Sequence, residues 1–147
     1  GALTNSGHFE NVGDTLRRGV EAAVGRAGRR VQWNASYTYL RATFESDLTI
    51  GSPNHPDEEA GELEVRAGSS LPSVPRHNVK ARLGTVFGRN AVTGTFLATS
   101  GQYFRGDEAN LLDPLDGYAI VNMNASRRLG SRVTVVGQVT NLFNRRY

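Results

Sequence analysis

Three histidines, His8, His55 and His77, and a carboxylate-rich run over 57–64 are the residue types in this chain suited to holding a divalent ion, since imidazoles and carboxylates ligate such ions. Their spacing matches no compact ligand motif. The acidic run could hold calcium through several carboxylate oxygens, but it lacks the Asp-x-Asp-x-Asp-Gly order of a calcium loop; no metal is assigned. Arg105-Gly106-Asp107 spells an adhesion tripeptide at the start of a loop, and Asn34-Ala35-Ser36 and Asn124-Ala125-Ser126 are glycosylation sequons placed in the middle of strands. The chain carries no Gly-x-Ser-x-Gly elbow, no His-Glu-x-x-His and no phosphate-cradling glycine loop. Its zero cysteines remove disulfides, Fe–S clusters, Cys-ligated zinc and thiol catalysis. It is read as a non-enzyme with no cofactor. The segment best equipped for ligand contact is a loop tip: Tyr103 offers an aromatic surface, Arg105 a guanidinium for anionic groups, and Asp107, Glu108 and Asn110 hydrogen-bonding side chains. The same residues could equally serve to order the loop itself.

The elements that must position these residues are strands. With 17 glycines and 5 prolines in 147 residues, few windows sustain the i, i+3, i+4, i+7 apolar spacing of a helix. Alternation is much stronger. Val31, Trp33, Ala35, Tyr37 and Tyr39 interleave with Gln32, Asn34, Ser36 and Thr38. The same scheme runs from His77 to Phe87, over Ala119–Ser126 and over Val133–Thr140, and in weaker form over 14–25 and 91–104. Short glycine-marked turns at 25–28, 88–90 and 130–131 alternate with long polar connections at about 46–74 and 105–116. Six antiparallel strands in up-and-down order follow, with tight turns at one end and long loops at the other. Charge divides along the same axis. The loop segments 45–66 and 105–116 carry net charges of −6 and −3, whereas Arg26, Arg29, Arg30, Arg89, Arg127, Arg128 and Arg132 gather at the short turns. The overall balance of +3 is too small to call for a nucleic-acid partner.

Period 2 supplies one apolar and one polar face per strand without deciding what the apolar face touches. A soluble β-sandwich acting as a binding or adhesion module would pack it inward; a membrane barrel would turn it to lipid. Segments expected to run about 12–16 residues exceed the roughly 5–6 usual in soluble domains and the roughly 9–11 that span a bilayer as a tilted strand. Aromatic residues also collect near the ends, with Trp33 and Phe87 toward the short turns and Phe44, Tyr103, Phe104, Tyr118 and Phe143 toward the long loops, as expected of two interfacial girdles. On this reading Lys80 and Arg82 line a wetted interior. About eight strands is the smallest closed membrane barrel, so six must be a section of something larger.

Several ordered motifs carry a family resemblance. Asn141-Leu142-Phe143-Asn144-Arg145-Arg146-Tyr147 resembles the Asn-Leu-Phe-(Asp/Asn)-x-x-Tyr signature near the C-terminus of TonB-dependent outer-membrane receptors. Asn11-Val12-Gly13-Asp14-Thr15 with Arg18-Gly19-Val20-Glu21 is similar to that family's Asn-x-Gly…Arg-x-Gly-Val-Glu pattern. Leu71-Pro72-Ser73-Val74-Pro75-Arg76-His77 resembles its re-entry from a long loop, and 100–110 with 117–122 resembles the next two strands and their loop.

The resemblance implies an all-β fold: an antiparallel up-and-down transmembrane β-barrel section, about six long strands of a larger barrel of the 22-stranded type. Residues 1–147 would be a C-terminal section of the receptor barrel, without the plug domain or the final strand. It implies a bacterial outer-membrane location and TonB-energised uptake of a scarce nutrient, most often a ferric siderophore, otherwise cobalamin, haem or a glycan. The expected partners are outer-membrane lipid, TonB through an N-terminal region not contained in these residues, and a small-molecule ligand such as a metal chelate; nucleic acid is not among them. The acidic loops argue against capture of a strongly anionic ligand by these two loops alone, unless other loops supply cations.

Overall fold

The computed structural model describes residues 13–146. Eight strands form: β1 (Thr15–Ala27), β2 (Val31–Phe44), β3 (Leu48–Gly51), β4 (Glu62–Val65), β5 (His77–Phe87), β6 (Asn90–Thr99), β7 (Tyr118–Leu129) and β8 (Val133–Val139). Six of them make one antiparallel sheet in the order β1-β2-β5-β6-β7-β8, and β3-β4 is a separate small hairpin within the first long loop. The six segments showing period 2 are the six strands of the large sheet. The hairpin is an addition: Leu48, Ile50, Leu63 and Val65 alternate over four residues only, too short a run to stand out from loop composition.

The turns follow from their residues. Between Phe87 and Asn90, which face each other in register, Gly88 takes φ +60°. That left-handed first position lets a two-residue loop match the twist of its flanking strands. The β6–β7 connection closes differently. Gly101 and Gly117 lie so near the opposing chain that a Cβ on either would stand 2.6 Å from a carbonyl oxygen, that of Leu115 or Thr99. This approach, together with the isolated Gln102–Leu115 bridge, ends β6 at Thr99 rather than at 104. At 11, 10 and 7 residues, β5, β6 and β8 are shorter than the expected 12–16. β8 stops because Asn141 turns the chain with φ +50°.

Register makes the two faces continuous. Val20 faces Tyr39 and Ala22 faces Tyr37; Tyr37 then faces Val79, Val79 faces Ala98 and Ala98 faces Ala119. One row on the opposite face reads Gly25, Asn34, Arg82, Thr95 and Asn122. The apolar face has no second layer against it among the described residues. Val20 is 65% exposed and Leu83 57%, with Val24, Phe87, Val133 and Val135 also exposed. A sandwich would have buried these chains at a gain of roughly 1.5–3 kcal/mol each. The soluble sandwich is therefore replaced by a single open sheet.

The buried apolar residues lie elsewhere. Ala42, Phe44, Val65 and Leu71 form a cluster at the long-loop end, with Leu48, Ile50, Val74 and Ala109 packed on it. Phe44 thus leaves the expected outer girdle. It shares strand parity with Thr38 and Leu40, so it points to the polar face, where the first loop folds over it. Tyr118 leaves the girdle for the same reason, because it faces Thr99 while its neighbour Ala119 continues the apolar row. Trp33 and Phe87 keep the apolar parity. No helix among the described residues is long and apolar enough to cross a membrane, which says nothing of strands.

Candidate functional site

The two long connections do not hang as separate loops. The first carries the β3-β4 hairpin and returns through Ser70–Ser73 along the end of β2, where Leu71 N–H donates to Ala42 O at 2.9 Å. The second folds against it. Ser52 Oγ donates to Gly106 O at 3.0 Å, and Ser73 N–H donates to Tyr103 O at 3.0 Å. Asn110 clasps Ser70 from both sides: its Oδ1 accepts the Ser70 N–H at 2.6 Å and its Nδ2 donates to Ser70 O at 3.0 Å. It does so with φ +60°, a left-handed backbone that asparagine tolerates better than most residues.

At the centre of this contact sits a buried polar pair. Asp107 is 1% exposed and His55 is also buried. His55 Nδ1 accepts the Asp57 N–H at 3.1 Å; in the neutral ring that leaves the proton on Nε2, which faces Asp107 Oδ1 at 3.3 Å. The alignment is poor for a hydrogen bond, so the contact is one of polarity rather than a full bond. The carboxylate is satisfied mainly by its own loop: Oδ1 accepts the Leu111 N–H at 2.8 Å and Oδ2 the Leu112 N–H at 3.1 Å. Glu108 Oε1 accepts the Gly106 N–H at 3.1 Å.

The five residues singled out in the sequence are therefore brought together but placed in two different settings. Asp107, Glu108 and Asn110 direct hydrogen-bonding atoms into the loop framework. Tyr103 is half-buried and Arg105 exposed, and neither side chain has a polar partner among the described residues. A cleft of about 500 Å³ opens beside them, lined by Gly51–Pro56 and by Phe104, Arg105, Asp107 and Leu112. A second cleft of about 550 Å³ is rimmed by Asp57, Glu59, Glu62, Glu64 and Arg66. It is the spatial form of the acidic run. Sequence reasoning missed His55 as Asp107's partner. On sequence alone His55 reads as a metal ligand or a solvated loop histidine, and nothing local links the two loops.

The metal alternative gathers no ligand set. His77 lies on β5, where its Nδ1 pairs with Tyr37 Oη at 2.8 Å, away from His55. No group of three or more His, Asp and Glu converges among the described residues. His8, the Asn11-Val12 part of the first motif and Tyr147 lie outside the described residues.

The C-terminal motif acquires a physical role. Asn141 N–H donates to Asn122 Oδ1 at 2.8 Å, and its side chain exchanges two hydrogen bonds with the Arg145 backbone at 2.8 and 2.9 Å. Leu142 N–H donates to Val121 O at 2.8 Å. The segment after β8 is thereby pinned to β7, and asparagine is the residue that can both adopt the turn and bind it.

A one-layer antiparallel sheet with a bare apolar face, a polar opposite face, tight turns at one end and an interlocked loop cap at the other defines a section of a membrane β-barrel wall. A family model described as TonB dependent receptor-like, beta-barrel matches residues 2–142. The chain belongs to this family of outer-membrane receptors and transporters. Searches of curated proteins and of solved structures returned no match.

Proposed function

We propose that this chain is a C-terminal section of the barrel wall and mouth of a receptor for TonB-energised uptake of a scarce nutrient across the bacterial outer membrane, with a ferric siderophore as the leading substrate class. The observation that carries this reading is the bare apolar face of a one-layer sheet in a chain of this family. Facing lipid, that surface needs no second layer. Facing a wetted bore, Lys80 and Arg82 keep their water, whereas on the lipid side each would cost on the order of 2–4 kcal/mol near the midplane. The open sheet edges at β1 and β8 would leave backbone groups unpaired in hydrocarbon at several kcal/mol each, so further strands complete the wall.

Short turns of such barrels face the periplasm and long loops the exterior. The loop cap is then the part of this chain that meets incoming ligand. Tyr103 and Arg105 make the contact, the guanidinium engaging an anionic oxygen of the chelate, while Asp107, Glu108 and Asn110 hold the tip in place. The acidic cleft disfavours a ligand of high negative charge, which favours chelates of low net charge or a contribution from cations on other loops.

The test is uptake of radiolabelled iron, presented as ferric chelates of differing charge, by iron-limited cells producing the full-length receptor. Energised uptake that falls with Arg105→Ala and Tyr103→Ala is expected. Absence of uptake for every ferric chelate, with uptake of cobalamin, haem or a glycan instead, would overturn the siderophore assignment.

A further inference from the structure

Arg18 and Arg41 stand directly opposite each other in the β1–β2 register. Both are exposed, and both have the parity of Val20 and Tyr39, the pair next below them on the apolar face. Side chains so placed have Cβ atoms roughly 4.5–5.5 Å apart, and like charges at that spacing repel. Neither guanidinium has a carboxylate or other hydrogen-bond partner among the described residues. The carboxylates of the loop cap lie nearby in sequence and leave these two cations unneutralised. Two forked donors rooted at facing strand positions are suited to an oxyanion with several oxygens.

Its depth identifies the source of that anion. Below the pair, Val20 is among the most exposed apolar residues. Beside Tyr39, His77 packs with a ring-centroid separation of 5.3 Å and accepts or donates at Tyr37 Oη. The outward surface therefore passes, row by row, from Val24, Ala35 and Ala81 through Ala22, Tyr37 and Val79 to Val20, Tyr39 and His77, and then to the two cations. That is the polarity profile of a lipid from acyl chain to headgroup.

We propose that Arg18 and Arg41 form an outward-facing clamp for the phosphate of an outer-leaflet lipid headgroup, with the acyl portion lying on Val20 and Tyr39. This rests on the reading of the apolar face as lipid-facing. The clamp relieves the cross-strand repulsion only when a phosphate whose charge is not balanced by a headgroup cation is present, so it gives the barrel wall a preference for net-anionic phosphate lipids at its external rim.

The test uses the full-length receptor reconstituted in phosphatidylcholine vesicles with a minor fraction of phosphatidic acid, with lipid retained after detergent extraction measured by native mass spectrometry. The wild type should retain phosphatidic acid over phosphatidylcholine. Arg18→Gln and Arg41→Gln should each lower that retention about five-fold, in line with the contribution of one basic side chain beside an anionic surface. Arg132→Gln, at the opposite pole, should leave it unchanged. Inorganic phosphate should not displace the lipid, since it has nothing to lay on Val20 and Tyr39. Equal retention in wild type and in a variant carrying both Arg18→Gln and Arg41→Gln, an equal loss in Arg132→Gln, or displacement by inorganic phosphate would each overturn the proposal. Failure of the wild type to insert into phosphatidylcholine at all would instead overturn the lipid-facing reading beneath it.

Discussion

His55 of the first long loop and Asp107 of the second meet with Nε2 and Oδ1 3.3 Å apart, both side chains almost wholly buried. The pair joins two segments that the strand order keeps separate, and Asp107 also organises its own loop through the Leu111 and Leu112 N–H groups. Asp107→Ala orphans both donors, at roughly 1–3 kcal/mol each when they stay buried. Amide exchange over 104–112 in the full-length receptor should accelerate most in Asp107→Ala, less in Asp107→Asn, which keeps one acceptor oxygen, and least in His55→Ala. Equal protection in all three would show that the loop is held by other contacts.

Asn110 combines an unusual backbone with a two-sided side-chain clasp on Ser70. Glycine at this position keeps the φ of +60° without steric strain but removes the clasp, whereas alanine removes the clasp and strains the backbone. Asn110→Ala should therefore open the junction between the loops more readily than Asn110→Gly, by about 1 kcal/mol, the penalty of a left-handed conformation. Limited proteolysis of the two variants in detergent provides the comparison, and equal cleavage rates would refute a conformational contribution.

Phe44 and Val65 are the apolar anchor of the loop cap. Phe44→Ala removes a side chain that is only 4% exposed, a change of the kind that costs about 3–5 kcal/mol in a packed core. The loss should fall on the cap and spare the sheet. Exchange should rise over 48–74 while the barrel's thermal unfolding temperature changes little. A fall in the unfolding temperature as large as the local effect would mean that cap and wall unfold together.

Thr95 and Phe96 are neighbours on β6 with opposite parity: Thr95 faces Arg82, and Phe96 faces Ala81 and Val121. Phe96→Arg puts a charge toward lipid and should destabilise the inserted receptor by about 2–4 kcal/mol if the position lies near the midplane. Thr95→Arg adds the same charge on the bore side and should be tolerated. Urea unfolding of both variants in phosphatidylcholine vesicles measures the difference, and the reverse order would invert the assignment of faces.

The motif at the end of the chain offers a second check outside the loops. Asn141→Ala removes the two hydrogen bonds to Arg145 and strains the backbone at φ +50°. At roughly 0.5–1.5 kcal/mol per hydrogen bond, the junction between β7 and the segment after β8 should loosen, read as faster exchange at Leu142 and Asn144. Unchanged exchange there would remove the structural reason for the motif.

The strands and their order were legible in the residues because a side-chain period of two is a local property of extended backbone. Val31–Tyr39 and His77–Phe87 display it without reference to anything else in the chain. The tight turns were legible too, since Gly88 supplies a conformation that other residues reach only with strain. Parity along β2 and β7 already carried the inward direction of Phe44 and Tyr118. Nearness to a strand end leaves the face of an aromatic side chain open; parity along the strand fixes it.

What the tertiary structure alone decided is how the long loops meet. The β3-β4 hairpin, the burial of Asp107, its contact with His55 and the clasp of Asn110 on Ser70 join residues far apart in sequence, and no short-range spacing encodes such pairs. The opposition of Arg18 and Arg41 belongs to the same class, because it exists only once the β1–β2 register is fixed. Alternation determines that a strand has two faces. Which side chains become neighbours across the sheet, and which loop covers which end, depends on register and packing between distant segments, where burial and hydrogen-bond satisfaction are settled for the chain as a whole.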